Sequence, residues 1–300
     1  MSMKIAVVVV TYNRLELLKE NLSALLNQSY NNFDILLIDN ASTDGTEEYI
    51  RSLNKDIIKY INTGNNLGGA GGFYLGIKEA LRRGYDYAWL MDDDTITYNN
   101  ALESLINKMM KYNGKIAYIS SLVKWTDDTI CIMNKQTLLK NWENHIEFIK
   151  DNMLPIENAS FVSFFLNLED AKKVGLPQKD FFIYGDDWEY SLRLSLEKSG
   201  YIDLDSIVVH KMAKNCGVDI LSEQSDRIKR YYYNYRNLYY IYKKYYDKKS
   251  VIKYKIRFFS TIFKILKSPC DKKIERIIIM TKGMIKGRKY NPTVEYFNYF

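Results

Sequence analysis

The sequence predicts an α/β fold, a doubly wound sheet whose ligand lies along the carboxyl ends of the strands. Through Val123, apolar runs of strand length alternate with stretches that repeat apolar residues at helical spacing. The residues with unusual chemistry sit where the strand runs end, in polar, acidic or glycine-rich turns.

Lys4–Val10 (KIAVVVV) is a continuous β-branched run, the pattern of a strand buried on both faces. Thr11-Tyr12-Asn13-Arg14 makes a polar turn, and Leu18, Leu22, Leu25 and Leu26 then mark a helix over Leu15–Leu26. Phe33–Ile38 is a second strand. It ends in Asp39-Asn40-Ala41-Ser42-Thr43-Asp44-Gly45, a turn of small and Asx residues that opens a helix at Thr46–Leu53. Ile57–Asn62 is a third strand. A glycine-rich loop, Gly64–Gly72, then runs into a helix over about Phe73–Arg83, and Tyr87–Met91 is a fourth strand. Ala101–Tyr112 reads as a helix and Lys115–Val123 as a strand, whereas Thr126–Leu154 has no clear period and reads as a flexible loop with a short helix. Phe161–Asn167 is a strand, Leu168–Val174 a short helix, Phe181–Leu196 a turn that becomes a helix, and Ile207–His210 the end of a short strand. There are no internal repeats.

The net charge of +7 is unevenly spread. Residues 228–300 hold 19 Lys+Arg against 4 Asp+Glu, and residues 1–227 hold 24 against 32. This break divides the chain into an α/β part, 1–227, and a basic, tyrosine-rich helical tail, 228–300. In the tail Lys253, Arg257, Ser260 and Lys264 fall on one helical stripe, and Ile256, Phe259, Phe263 and Leu266 on another. A basic amphipathic helix with aromatics suits an anionic membrane surface. A helical hairpin packed on the α/β part is the plainer reading. Nucleic-acid binding is set aside because the ligand edge is acidic and only the tail is basic. Cys131, Cys216 and Cys270 are too far apart for a zinc site or a disulfide framework and read as reduced thiols. No export signal precedes the first strand, and no apolar run reaches the roughly 18 residues of a spanning helix. The expectation is a cytoplasmic protein, peripheral on the inner face of the membrane.

Four groups of residues could carry chemistry. Asp92, Asp93 and Asp94 follow a buried strand, where carboxylates need a compensating cation, and a divalent metal holding phosphates supplies one; by itself a solvated acidic turn would look the same. Asn65-Asn66-Leu67-Gly68-Gly69-Ala70-Gly71-Gly72 lets backbone approach a ligand closely and aims helix N-terminal N–H groups at an anion, without being a GxGxxG or Walker sequence. Asp186 and Asp187 open a helix among apolar and aromatic neighbours; a capping role competes there with that of a general base of raised pKa. His210 ends an apolar run and, with the aspartates, would complete a mixed O/N set suited to Mn2+ or Mg2+. His145 carries no signal.

Taken together, VVVTYNR, IDNASTDGT, NLGGAGGF, MDDD and GDDWEYSLR, in this order over roughly residues 3–212, resemble the inverting family 2 glycosyltransferases of GT-A fold. That resemblance implies a mixed, Rossmann-like sheet flanked by helices. It implies Thr11, Asn13, Arg14, Asp39 or Asn40, Asn65, Gly68 and Gly69 around the nucleotide sugar, together with Asp92 and Asp93. It makes Asp92 and Asp94 the DxD pair, with His210 the remaining metal ligand, and Asp187 the catalytic base. Asp93 should point away and support the turn. Trp188, Asp186 and Glu189 would lie toward the sugar or acceptor. The galactofuranosyltransferase branch, using UDP-galactofuranose, is the one the set is most similar to; a dTDP-rhamnose-dependent rhamnosyltransferase is the nearest alternative, and a catalytically inactive nucleotide-sugar-binding protein the alternative of another class. The acceptor implied is a lipid-linked glycan of cell-surface polysaccharide synthesis, and a homo-oligomer is compatible with all of this.

Overall fold

The computed structural model describes residues 3–297, and its strands form one nine-stranded sheet. In chain order the strands are β1 (Ile5–Thr11), β2 (Phe33–Asp39), β3 (Ile58–Asn62), β4 (Tyr87–Asp92), β5 (Thr95–Thr97), β6 (Ile116–Lys124), β7 (Met153–Ile156), β8 (Phe164–Asn167) and β9 (Ser199–His210). The helices are α1 (Leu15–Leu26), α2 (Thr46–Leu53), α3 (Gly68–Arg82), α4 (Ala101–Lys111), α5 (Ile146–Ile149), α6 (Leu168–Val174), α7 (Asp186–Leu194), α8 (Tyr231–Tyr245), α9 (Lys248–Lys267) and α10 (Lys273–Lys289).

The strand order is β3-β2-β1-β4-β8-β6-β9-β5, with β7 added on β9. β3, β2, β1, β4, β6 and β9 share one direction, and β8, β5 and β7 run against them, so the sheet is mixed. Thr11, Asp39, Asp92 and His210 each end a strand of the shared direction. One sheet edge therefore gathers them, which is the edge where α/β sheets bind ligands.

β1 is buried along its whole length, and its side chains alternate between two cores. Val7 and Val9 join the layer under α1 and α4, while Ala6, Val8 and Val10 join the layer under α3, α6 and α7. Each such valine contributes about 1.5–3 kcal/mol by leaving water. Helix α3 begins at Gly68, earlier than the sequence predicts, so most of the glycines lie inside it. Their first use is packing: a Cβ on Gly72 would sit 2.5 Å from Val10 Cγ1.

Two stretches differ from expectation. The short strand expected at Ile207–His210 is the end of the twelve-residue β9. Its pairing with β6 jumps from Ser121↔Asp203 to Leu122↔Ile207, so Leu204, Asp205 and Ser206 form a bulge. Lys108 reaches both Asp203 and Asp205 across it, and Ser104 Oγ donates to Asp203 at 2.6 Å. The stretch 126–154, expected as a flexible loop, contains two 3-10 turns, α5 and the start of β7. Its period is hidden because single residues, not a face, anchor it: Cys131, Asn134, Phe148 and Met153 are buried.

In the tail, α8, α9 and α10 share a core built from Tyr231, Tyr235, Tyr239, Tyr254, Phe258, Ile265 and Met280. A second cluster, Ala70, Phe181, Tyr240 and Ile241, ties α8 to the start of α3 and to the segment before α7. Helix α9 buries Tyr254, Phe258 and Ile265 and leaves Ile252, Ile256, Phe259, Phe263 and Leu266 exposed, so packing and an outward apolar face coexist. No described helix is long and apolar enough to cross a membrane.

Candidate active site

The acidic turn is built by register. β4 ends at Asp92, the chain turns through Asp93 and Asp94, and β5 then pairs Thr95 directly with His210 of β9. Lys211 N donates to Asp94 O at 2.9 Å, closing the corner. Donor atoms of Asp92, Asp94 and His210 consequently lie within 4.8 Å of one another. Asp93 ties the turn to the end of β1. Its Oδ2 accepts from Thr11 Oγ1 (2.8 Å) and from the Tyr12 amide (3.4 Å). Arg14 Nη1 bridges Asp93 Oδ1 (3.3 Å) and Asp94 Oδ2 (2.6 Å).

Electrostatics describe a corner short of positive charge. Burial, together with the neighbouring Asp94, pushes the Asp92 carboxyl up to about 7, and burial raises Asp93 to about 6 despite Arg14. Burial acts the same way on Asp94, but His210 and Arg14 outweigh it and hold that carboxyl below its usual range. Conversely, burial opposes charge on His210, yet the Asp94 bond, the Cys131 contact and the two carboxylates lift the imidazole to about 10. Asp94 Oδ1 lies 3.1 Å from His210 Nε2, off the geometry of a good hydrogen bond. A set of two carboxylates and an imidazole, with an orphaned oxygen and a carboxyl pushed toward neutrality, fits a divalent cation of the Mn2+ or Mg2+ class.

The histidine is oriented by a residue that sequence reasoning missed. Asn134 Oδ1 accepts from His210 Nδ1 (2.8 Å) and from Cys131 Sγ (3.0 Å), and Asn134 Nδ2 donates to Ser160 Oγ (2.8 Å). An amide oxygen only accepts, so Nδ1 carries a proton, and Nε2 is turned toward the aspartates. Asn134 sits in the aperiodic loop, where no sequence signal separates it from its neighbours.

Around the turn after β2, Asp39 is spent on architecture. Its Oδ1 accepts from Ser42 N (2.9 Å) and Ser42 Oγ (2.6 Å), and its Oδ2 from Tyr60 OH (2.6 Å). Asn40 Nδ2 donates to Gly68 O (3.1 Å), whereas Asn40 Oδ1 is buried without a partner. Asn13 Oδ1 accepts from the Thr43 amide at 2.7 Å, locking the β1 and β2 turns together. Asn65 is exposed at the lip. The glycine turn departs from expectation. Gly68 has φ +72°, and a Cβ there would lie 2.0 Å from Phe182 O. Ala70 N donates to that same carbonyl (3.2 Å), so the first turn of α3 cradles this chain's own loop. Gly69, like Gly64 at the start of the loop, faces open space, whereas Gly68, Gly71 and Gly72 do not.

That loop leads to the second acidic pair. Phe182, Tyr184 and Gly185 have φ of 63°, 67° and 83°, and α7 begins at Asp186. Trp188 N donates to Asp187 Oδ1 (2.7 Å). Burial and the adjacent Asp187 push Asp186 far up; Asp187, half-buried, is raised by burial to about 6. Asp92 adds to the shift of Asp186, so the two acidic groups sense one another. Asp187 is thus a carboxylate ionised at neutral pH whose proton affinity is raised, which is what a general base needs. Two neighbours turn away from an open site. Glu189 is fully buried, held by Arg193 Nε (3.1 Å) and Nη2 (2.8 Å) and by Tyr245 OH (2.5 Å), and Trp188 Nε1 donates to Tyr246 OH (3.1 Å).

The sequence profile of glycosyl transferase family 2 matches residues 6–168. The galactofuranosyltransferase GlfT1 of Mycolicibacterium smegmatis is 26% identical over 222 residues, 72% of this chain and 72% of that one. Among solved structures, S. aureus TarS 1–349 in complex with UDP-GlcNAc superposes with a TM-score of 0.61 at 14% identity, over 94% of this chain and 80% of that one. GalNAc-T7 with UDP, GalNAc and Mn2+ gives a TM-score of 0.62 at 15% identity; the match covers 94% of this chain and about half, 54%, of that one. At these identities the two structures speak for the fold, which is GT-A, and the profile spans more than half of the residues. This chain is a glycosyltransferase and belongs to glycosyl transferase family 2.

Proposed function

We propose that this protein transfers galactofuranose from UDP-galactofuranose, with inversion, to a lipid-linked glycan acceptor. The observation that carries this reading is the pairing of two acidic centres across one sheet edge, an Asp92–Asp94–His210 corner and the raised carboxyl of Asp187. The likeness to a galactofuranosyltransferase supports the donor sugar.

In this reading Asp92, Asp94 and His210 hold Mn2+ or Mg2+, which supplies positive charge for a departing diphosphate. Arg14, half-exposed beside Asp94, adds a fixed cation at the same corner. Of Asp39 and Asn40, Asn40 is the one assigned to the base, because its Oδ1 has no partner while both Asp39 oxygens are taken by Ser42 and Tyr60, and Gly69 leaves room for the sugar diphosphate. Asp187 takes the proton of the acceptor hydroxyl as its oxygen bonds to the anomeric carbon and the bond to the diphosphate breaks. One displacement without a covalent intermediate inverts the anomeric centre. The exposed face of α9 lies on the membrane that carries the acceptor; α9 contains seven Lys or Arg and no Asp or Glu. A second copy on that face would set these cations against each other, whereas anionic lipid neutralises them.

The test is a screen of UDP- and dTDP-sugars, including UDP-galactofuranose and dTDP-rhamnose, for Mn2+-dependent turnover. Turnover of UDP-galactofuranose above the others is expected; preference for dTDP-rhamnose reassigns the donor, and turnover of none removes both donor assignments. Co-sedimentation with phosphatidylglycerol vesicles, lost at high salt, is expected for the tail, and equal binding to neutral vesicles removes its proposed role.

A further inference from the structure

The residues before Asp187 form a loop that its own sequence does not stabilise. Phe182 and Tyr184 take positive φ, which is costly for side chains of this size. Ile183 N closes a tight turn onto Phe181 O at 2.7 Å, which leaves several carbonyls of the loop converging on one side. What they converge on is a side chain of the tail. Asn237 of α8, fully buried, donates through Nδ2 to Phe181 O (3.1 Å), Ile183 O (3.1 Å) and Tyr184 O (2.8 Å). Three acceptors share two protons, so the amide has no freedom to turn. Its orientation is set from the other end: Arg236 Nε donates to Asn237 Oδ1 (2.9 Å), and Arg236 Nη2 donates to Asp180 O (2.6 Å). Arg236 is held in turn by the Tyr290 ring, 4.2 Å from its guanidinium carbon. Gly185, the last loop residue, rests on Ile241 of the same helix, which a Cβ would approach at 3.1 Å.

We propose that Asn237, oriented by Arg236, is a positioning residue that holds the Phe181–Gly185 loop in the conformation presenting Asp187 to the acceptor. The tail thereby completes the site, and it does so through backbone carbonyls rather than by touching substrate. The inference rests on the reading of Asp187 as the base. It also implies that residues 228–300 cannot be removed without losing transfer, whatever they do at a membrane.

The experiment uses the full chain, the donor selected by the screen, and Asn237→Asp. This change is nearly isosteric and keeps the bond from Arg236, but sets an oxygen against the three carbonyls. The expected result is a kcat lowered by about 100-fold, the scale of a small misplacement of a catalytic group. The donor KM and the affinity for UDP with Mn2+ should stay at wild-type values, and amides 182–185 should exchange faster. Arg236→Lys, which frees the amide while keeping the charge, should show the same split more weakly, and it carries the test if Asn237→Asp does not fold. Wild-type kcat in the folded variant, or an equal loss of UDP affinity, overturns the proposal. Asp187→Asn separates the two readings. If it retains transfer, the base assignment fails and this inference with it; if it abolishes transfer while the Asn237 variant works normally, only the inference fails.

Discussion

The metal corner and the base loop are both acidic, both at least partly buried, and assembled in opposite ways. The corner is made by strands: β4, β5 and β9 end where hydrogen-bond register puts them, and Asp92, Asp94 and His210 arrive together. The base loop is held by a distant donor: Asn237 Nδ2 reaches Ile183 O and Tyr184 O, and also Phe181 O, which it shares with the Ile183 amide. The corner thus inherits its rigidity from the sheet, and the loop borrows its rigidity from the tail. A transferase gains from this division, because the donor half can be prebuilt while the acceptor half stays separately adjustable.

The largest expected effect tests whether the two halves are chemically distinct. Asp187→Asn should lower transfer by about 10²–10⁴-fold, the range for a lost general base. Its UDP and Mn2+ binding should be intact, and a parallel loss of UDP affinity would merge the two centres. A smaller effect probes the corner alone. Asn134→Leu leaves His210 Nδ1 without its acceptor and should weaken Mn2+ affinity in the presence of UDP by about 10–100-fold, as seen for partners of metal-bound histidines. Calorimetric titration showing unchanged affinity would remove Asn134 from the site. The gentlest probe is pH. Because Asp187 must be ionised and burial raises it to about 6, kcat should fall as pH drops through that value, by about tenfold for each unit below it. A plateau that extends to pH 5 would point to another base.

The aspartate half of the corner was legible in the sequence because it is contiguous, whereas His210 joins it only through the pairing of β5 with β9. An apolar run followed by three aspartates reads as a strand end in need of a cation once a series of strands precedes it. The base was legible as a residue and its loop was not. Asp187 announces itself by helix position, whereas Asn237 is one more polar residue among tyrosines and lysines, and nothing short of the fold places it beside Phe181. The glycines have a use that the sequence did not show: Gly68 and Gly72 permit close approach of Phe182 and Val10. Asn134 was invisible because its segment is anchored residue by residue, which leaves no period.

The bulge at Leu204–Ser206 works as a slip joint in β9. Upstream of it, Tyr201–Asp203 keep step with Ile119–Ser121 of β6 and with β7; downstream, only Ile207–His210 remain before the corner. Each added residue in that last stretch advances the chain about 3.3 Å and reverses its facing, so a single insertion there would present Val209 to the aspartates and turn the imidazole to the opposite face. Length can change within the bulge without that penalty. An insertion after Asp205 should leave Mn2+ affinity standing, and the same insertion after Val208 should abolish it; equal outcomes would mean that the strand, not the bulge, absorbs the slack.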